Sequence, residues 1–586
     1  VTSLDWLVLA GSLVFIVAYG VWKSRRTRTM EEYLQAGHEM RWLPIALSIM
    51  ATQASAITFL STPGQAYADG MRFVQFYFGL PVAMVVLSIT AVPLYHRLKV
   101  FTAYEFLESR LDAKTRALAA LLFLVQRGMA AGLTIFAPAI ILSVILGWDL
   151  NLTIVVIGVL VVIYTTAGGT RAVGWTHLHQ MTIILVGMGA AFVALVLSLP
   201  AEVTFLDALR VAGKLGRLEA VDFSFDLSNR YTFWSGLIGG GFLALSYFGA
   251  DQSQVQRYLT GRSVAHSRLG LLANGLIKVP MQFAILLLGA VMFAFYQFVE
   301  PPVFFNPVAV AKVRASAVAE AWDAAVAAHS QAFAAKRAQA LVLMEAMRQG
   351  DEGQVEDATA SLRAAAAATE ARRQAAITVL QRHDPKTDPS DVNYVFLTFV
   401  VTYLPAGLVG LVLAAVFAAS MSSTAAELNA LASTTVVDVV RRLFGWHGDE
   451  RATVAVARLA TAAWGAFAIG VALSASRLGS LVEAVNILGS LFYGTILGIF
   501  LVAFYFWRRV AASAVFVAAL AGEALVLACY ALTEIPFLWF NVLGCATVVL
   551  LAFVLTPLFG AAAPPPASSS ADGRGSASRG VHTRVA

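Results

Sequence analysis

Between Ala46 and Gly70 the chain reads ALSIMATQASAITFLSTPGQAYADG, an apolar run interrupted by Thr52, Gln53, Ser55, Thr58, Ser61 and Thr62 and then by Pro63 and Gly64. Hydroxyls and loosened backbone carbonyls can replace the water around a bare cation without adding a fixed charge. Far along the chain a second pair of hydroxyls, Ser422 and Ser423, stands in another apolar run. Arg127 is a third chemical group. It lies about 11 residues past Arg116, hence roughly 16 Å along a helix axis, near the middle of hydrocarbon, where an unpaired guanidinium costs several kcal/mol or more. Its planar fork matches a carboxylate. Two readings stand: Arg127 holds the carboxylate of an organic anion, or it pairs with an internal Glu or Asp or snorkels out. Lys278 is a further charge inside an apolar run, expected near the inner end of its span with its ammonium snorkelling.

These groups need a scaffold in which irregular backbone is buried in protein or lines a polar cavity, since lipid tolerates it nowhere else. The composition supplies one. Of 586 residues 59% are hydrophobic and 13% charged, and the mean hydropathy is +0.74, which fits a polytopic membrane protein. A net charge of +6 does not point to nucleic acid, because the basic residues cluster in short loops between spans. Cys529 and Cys545 both lie inside apolar runs, so neither a disulfide framework nor a CxxC metal motif is available.

A span takes about 20 mostly apolar residues. By that measure about thirteen are expected, near 4–22, 42–68, 72–95, 117–146, 151–168, 176–199, 233–256, 269–298, 398–432, 453–475, 480–507, 511–532 and 537–559. Basic residues follow the first run rather than precede it (Lys23, Arg25, Arg26, Arg28), the reverse of a signal peptide. The remaining basic clusters, at Arg97 to Arg116, Arg171, Arg257 to Arg268, Arg441 to Arg458 and Arg508–Arg509, then face the inside. This predicts an integral protein of the cell (inner) membrane with its N-terminus outside and its C-terminus cytoplasmic. Residues 310–392 break the pattern. They are rich in Ala, Glu, Arg and Gln, divided at Gly350 to Gly353, and predict a soluble helical hairpin on the outer face. It is a spacer, a lid or a place for a partner. The low-complexity tail, 561–586, predicts disorder.

Five stretches together resemble the sodium:solute symporter family. They are Ser55-Ala56 with Pro63-x-x-x-Tyr67-x-x-Gly70; Tyr164-Thr-x-x-Gly-Gly169 leading to Ala172-Val-Gly-Trp-Thr176 and Gln180; Asp251-Gln-Ser-Gln-Val-Gln-Arg-Tyr-Leu259 with Arg262-Ser263; Ser422-Ser423 with Leu428-Asn429 and Asp438; and Gly489-Ser-Leu-Phe-Tyr-Gly494 with Leu497-Gly498. The resemblance implies a LeuT-like all-α fold, an inverted repeat of five plus five helices. One leading helix with its inner loop (1–41) precedes the first repeat (42–199) and an outer loop (200–232). The second repeat (233–507) is interrupted by 310–392, and two trailing helices (508–560) follow. It also implies secondary active transport, with Na+ as the coupling ion and a small solute carried by alternating access.

Carried over by motif, the sodium ligands are the carbonyls of Ala51, Ala54 and Ala419 and the hydroxyls of Ser422 and Ser423. The plainer reading of the serines is close helix approach, or bonding back to their own helix. A second sodium site of some members needs hydroxyls at 425 and 426 and an Asp at 177. Here Ala425, Ala426 and His177 stand there, so one sodium per cycle is expected. Glu427 near His177 would give a pH-sensitive pair; otherwise both face water at the inner mouth. Expected solute contacts are Gln53, Thr58, Gln75, Tyr77, Arg127, Tyr247, Asp251 and Gln252. Gln75 and Tyr77, two apart, cannot face one spot on a helix. Asp251 reads equally as structural, gating or solute-facing. Tyr77 stands where a sugar carrier would have an acidic acceptor, which leans the solute towards a carboxylate-bearing anion. A sensor on the same fold is an alternative. A membrane enzyme is a weaker one, since no HExxH, GxSxG or Walker pattern occurs.

Overall fold

The computed structural model describes residues 1–24, 40–98, 100–475 and 479–560; of 17, 20, 21, 23, 24 and 167–175 the backbone alone is described. The basic residues of 25–39, the side chain of Arg171, the central part of the Gly168 to Trp175 motif and the tail expected to be disordered lie outside the described residues. The chain is all helical, with one isolated bridge, Met40 to Gly261, among the described residues. The helices are α1 (Ser3–Ser24), α2 (Trp42–Gln53), α3 (Ala56–Asp69), α4 (Leu80–Ile89), α5 (Ala91–Leu98), α6 (Ala103–Arg110), α7 (Ala113–Leu146), α8 (Leu150–Leu197) and α9 (Phe205–Lys214). They continue with α10 (Gly240–Gly249), α11 (Gln252–Leu259), α12 (Val264–Phe298), α13 (Pro307–Arg314), α14 (Ala319–Gln349) and α15 (Glu352–His383). The last six are α16 (Val392–Tyr403), α17 (Leu408–Thr434), α18 (Glu450–Ser474), α19 (Leu481–Leu501), α20 (Ala512–Leu532) and α21 (Leu538–Phe559).

Among the described residues nine helical runs are long and apolar enough to cross a bilayer, and α2 with α3 makes a tenth as a pair bent by 61°. Shorter apolar helices at Ser3–Ile16, Leu150–Thr166 and Ser235–Gly249 complete the expected set of about thirteen spans.

The 48 residues of α8 would reach roughly 72 Å if straight, more than twice a bilayer core. They are not straight. Tyr164 Oη lies 3.3 Å from Thr176 Oγ1, a separation that a straight helix would stretch to roughly 18 Å. The chain therefore folds back between them, and the two runs are separate spans, as the sequence divides them.

The span expected over 398–432 is a correction. It is two elements, α16 and the long α17, which runs on through a π-helical turn to Arg441. Pro405 lacks an N–H, and Gly407 takes φ +87°, so the helix stops and restarts there. α16 lies against α3: a Cβ on Gly64 would fall 1.8 Å from the Val392 carbonyl oxygen. Arg257 is also not a free loop cation. It is buried within α11, donating to the Ser253 carbonyl and to Gln256 Oε1.

The insertion is a helical hairpin. Gly350 closes α14 in the left-handed region (φ +76°), and Asp351 caps α15 by accepting from the Gln354 N–H. The hairpin is docked firmly. Leu343, Met344 and Leu362 pack with Ala294 and Phe298 of α12 and Val211 of α9. Arg348 pairs with Asp207 at 2.6 Å and Arg373 with Asp391 at 2.6 Å. Lys336 donates 3.3 Å to the Tyr296 carbonyl, and burial pushes its ammonium down to about 8.

Candidate ion and solute site

The site begins where the first core span breaks. α2 ends at Gln53, Ala54 takes ψ 73°, and α3 restarts after an extended Ser55 that makes no side-chain cap. The carbonyls freed by such a break need partners in a membrane. One comes from α17: Ser422 Oγ donates 2.7 Å to the Ala51 carbonyl, 371 residues away in sequence. Ser423 Oγ instead donates 2.7 Å back to the Ala419 carbonyl of its own helix. The two serines thus divide between the two readings open in the sequence. Ala51, Ala54, Ala419, Ser422 and Ser423 are all buried, within at most 1% exposure. Of the five, the Ser422 hydroxyl and the Ala51 carbonyl meet at the helix break, oxygens of the kind a hard monovalent cation takes.

Beside the break lies a cavity of about 90 Å³. Of the expected solute contacts, Gln53, Thr58, Tyr77, Arg127 and Tyr247 line it. Gln53 Oε1 is buried there without a hydrogen-bond partner among the described residues. Gln252 is elsewhere: its Oε1 accepts from the Ala103 N–H at 3.0 Å and its Nε2 donates to the Phe101 carbonyl at 2.8 Å, so it ties α6 to α11. Gln75 likewise faces away, between the Tyr231 carbonyl and the Asp222 N–H, while Tyr77 faces the cavity. Two residues of one short 3-10 helix point in different directions, as their spacing requires.

Arg127 is paired internally, twice. Its Nη2 reaches Asp251 Oδ2, and its Nη1 lies 3.1 Å from Glu427 Oε1. Tyr493 completes the cluster, accepting from Arg127 Nη2 at 2.5 Å and donating to Asp251 Oδ2 at 3.0 Å. The guanidinium also sits 5.3 Å from the centre of the Tyr247 ring. Asp251 caps α11 through Ser253 and holds Arg127, and it is not among the residues that line the cavity. Glu427 does line it, with Oε2 buried and unpartnered among the described residues.

Two expectations fail here. Glu427 does not pair with His177, and neither faces water: Glu427 goes to Arg127, while His177 is fully buried with Nδ1 2.8 Å from Ser48 Oγ. Lys278 does not snorkel. It is wholly buried in α12, its Nζ has no hydrogen-bond partner among the described residues, and it lies 5.6 Å from the centre of the Tyr77 ring. Two cations thus stand against two tyrosines of one cavity, Arg127, itself part of the lining, at Tyr247 and Lys278 at Tyr77. Against their two positive charges are the two carboxylates Asp251 and Glu427.

Tyr493 and Glu427 are the residues sequence reasoning left without this role. Tyr493 was visible within the Gly489 to Gly494 motif, and Glu427 as a charge four residues past Ser423 in an apolar run. Nothing in the sequence tells which helix each side chain faces.

A sequence model of the sodium:solute symporter family matches residues 33–328 and 383–522. The gap falls within the insertion. Mouse sodium-coupled monocarboxylate transporter 2 is 26% identical over 506 residues, covering 86% of this chain and 68% of that protein. Human sodium/iodide cotransporter is 32% identical over 304 residues, covering 51% of this chain and 46% of that protein. In fold the chain is similar to a Na+-coupled sialic acid symporter in a substrate-bound outward-open state. The TM-score is 0.74 at 22% identity, and the match covers 96% of this chain and 99% of that one. The family match spans most of the chain and the fold agrees with it: this chain belongs to the sodium:solute symporter family and is a sodium-coupled symporter of the membrane.

Proposed function

We propose that the chain carries a small monocarboxylate into the cell with one sodium ion per cycle. The observation that carries the anionic part is Lys278, a buried ammonium without a hydrogen-bond partner among the described residues, 5.6 Å from the ring of Tyr77, which lines the cavity. A buried charge is costly unless paired, and a solute carboxylate supplies the pair. Arg127, already held by two carboxylates, is the wrong partner for it. The relatives named as monocarboxylate transporters support the same solute class.

In this reading sodium binds at Ala51, Ala54, Ala419, Ser422 and Ser423 and ties the broken span to α17. That favours the geometry in which Gln53, Thr58, Tyr77 and Tyr247 meet the solute. Sodium shifts the equilibrium only as far as it prefers that state. The formal charges of Arg127, Lys278, Asp251 and Glu427 balance, so a sodium ion and a monocarboxylate enter together as a neutral load. Ala425, Ala426 and His177 offer no second sodium site. The orientation keeps the N-terminus outside and the C-terminus in the cytoplasm of an inner membrane, with the hairpin of 310–392 outside as a lid or partner surface. The chain otherwise divides into the leading segment 1–41, repeats 42–199 and 233–507, the loop 200–232 and the trailing helices 508–560.

The test is uptake of labelled organic acids, amino acids and sugars into proteoliposomes under a sodium gradient, repeated with Lys278→Met. Sodium-driven uptake of a short monocarboxylate, lost in the variant, is expected. Normal uptake of that acid by the variant contradicts the role of Lys278, and sodium-driven uptake of a sugar alone contradicts the solute class.

A further inference from the structure

Glu427 lines the solute cavity and occupies Nη1 of Arg127, and its Oε2 has no hydrogen-bond partner among the described residues. Its removal would leave Arg127 bound only to Asp251 and Tyr493, with Nη1 open towards the cavity. An arginine fork is a ready carboxylate receptor when a nitrogen is free. We infer that Glu427 is a specificity-determining residue: it occupies the arginine end of the cavity with a fixed carboxylate and so restricts the solute to a single carboxylate. This rests on the monocarboxylate reading and adds the exclusion of dicarboxylates to it.

The charge balance makes the same point. With Glu427 ionised, two cations face two carboxylates, and Lys278, 5.6 Å from the ring of the cavity residue Tyr77, has no hydrogen-bond partner among the described residues. A dicarboxylate would set its second anionic group beside Glu427, where like charges in a dry site repel strongly. Discrimination by a repulsive group needs no added attraction for the preferred solute. Replacing Glu427 by Gln removes that charge at almost constant volume. The four groups then carry a net positive charge, and Arg127 Nη1 is free for the second carboxylate.

The experiment compares uptake of labelled pyruvate and labelled malonate into proteoliposomes containing the full-length wild type, Glu427→Gln or Glu427→Asp. The wild type and Glu427→Asp should take up pyruvate and exclude malonate. Glu427→Gln should raise the malonate-to-pyruvate uptake ratio by at least about tenfold. Pyruvate uptake by the wild type with an unchanged ratio in Glu427→Gln overturns the inference and leaves the monocarboxylate reading standing. Absence of uptake of any monocarboxylate by the wild type overturns both. A measurement on the wild type alone guards against a variant that does not fold. Monomethyl malonate, bulkier than malonate but with one charge, should compete with pyruvate, whereas malonate should not. Equal competition by the two contradicts exclusion by charge.

Discussion

Replacing Ser422 by Ala removes one hydroxyl from the break in the first core span. In the structure that hydroxyl donates 2.7 Å to the Ala51 carbonyl and is buried. A neutral hydrogen bond of this kind is worth about 0.5–1.5 kcal/mol net, and an oxygen facing a charged partner about 1.5–3 kcal/mol. Taking the second range for a sodium ligand, affinity for sodium should fall by roughly 10- to 150-fold. Binding linkage is reciprocal, so solute affinity measured at fixed, subsaturating sodium should fall with it and return as sodium is raised. The assay is the sodium dependence of solute uptake in proteoliposomes, with sodium binding to the purified protein measured alongside. Ser422→Thr, which keeps the hydroxyl, should recover most of the loss. A Ser422→Ala protein that loses solute affinity while its sodium dependence is unchanged would refute the coupling through this contact.

Three further outcomes follow from buried charges and from the missing ligands. Arg127→Met leaves Asp251 and Glu427 as uncompensated neighbours, at a cost of about 3–5 kcal/mol, so it should lower the thermal midpoint of the purified protein sharply. An unchanged midpoint would contradict the buried cluster. In the hairpin, burial lowers the Lys336 ammonium from its ordinary 10.5 to about 8. The unfolded chain then binds more protons between those values, so stability from this group rises as pH increases from 8 to 10.5. Lys336→Met should remove that slope, read as resistance of the hairpin to proteolysis against pH. The ratio of sodium to solute flux should be one, because residues 425, 426 and 177 carry no sodium-binding oxygen pattern; a ratio of two would restore a second site.

Much of the architecture was legible in the sequence because lipid imposes simple rules. Apolar length marks the spans, and polar residues with Pro63 mark the breakable one. The link between the Ser422 stretch and the break rested on the family resemblance, because two serines in an apolar run read more plainly as close helix approach; the structure joins one of them, Ser422, to the Ala51 carbonyl. The split of α16 from α17 was harder to see, since both halves are apolar and only Pro405 and Gly407 separate them. The side-chain half depended on which helix each charge faces. Arg127 was recognisable as a charge that must be satisfied, but the sequence left open whether a solute or the protein satisfies it. The answer lies in Asp251 and Glu427, which come from 124 and 300 residues away. Lys278 was assigned to the membrane edge because a lysine there can snorkel, yet the packing of α12 encloses it completely. His177 and Glu427 are close enough in the expected fold to pair, but each has a nearer partner on another helix, Ser48 and Arg127.

The central claim, that sodium at the helix break drives a monocarboxylate through the adjacent cavity, is tested most directly by one flux measurement. Labelled pyruvate uptake into proteoliposomes is followed with sodium outside, with potassium outside, and with equal sodium on both sides. Accumulation above equilibrium only under the inward sodium gradient is the predicted result. Equal accumulation in potassium, or saturable pyruvate binding with no accumulation under any gradient, would contradict it.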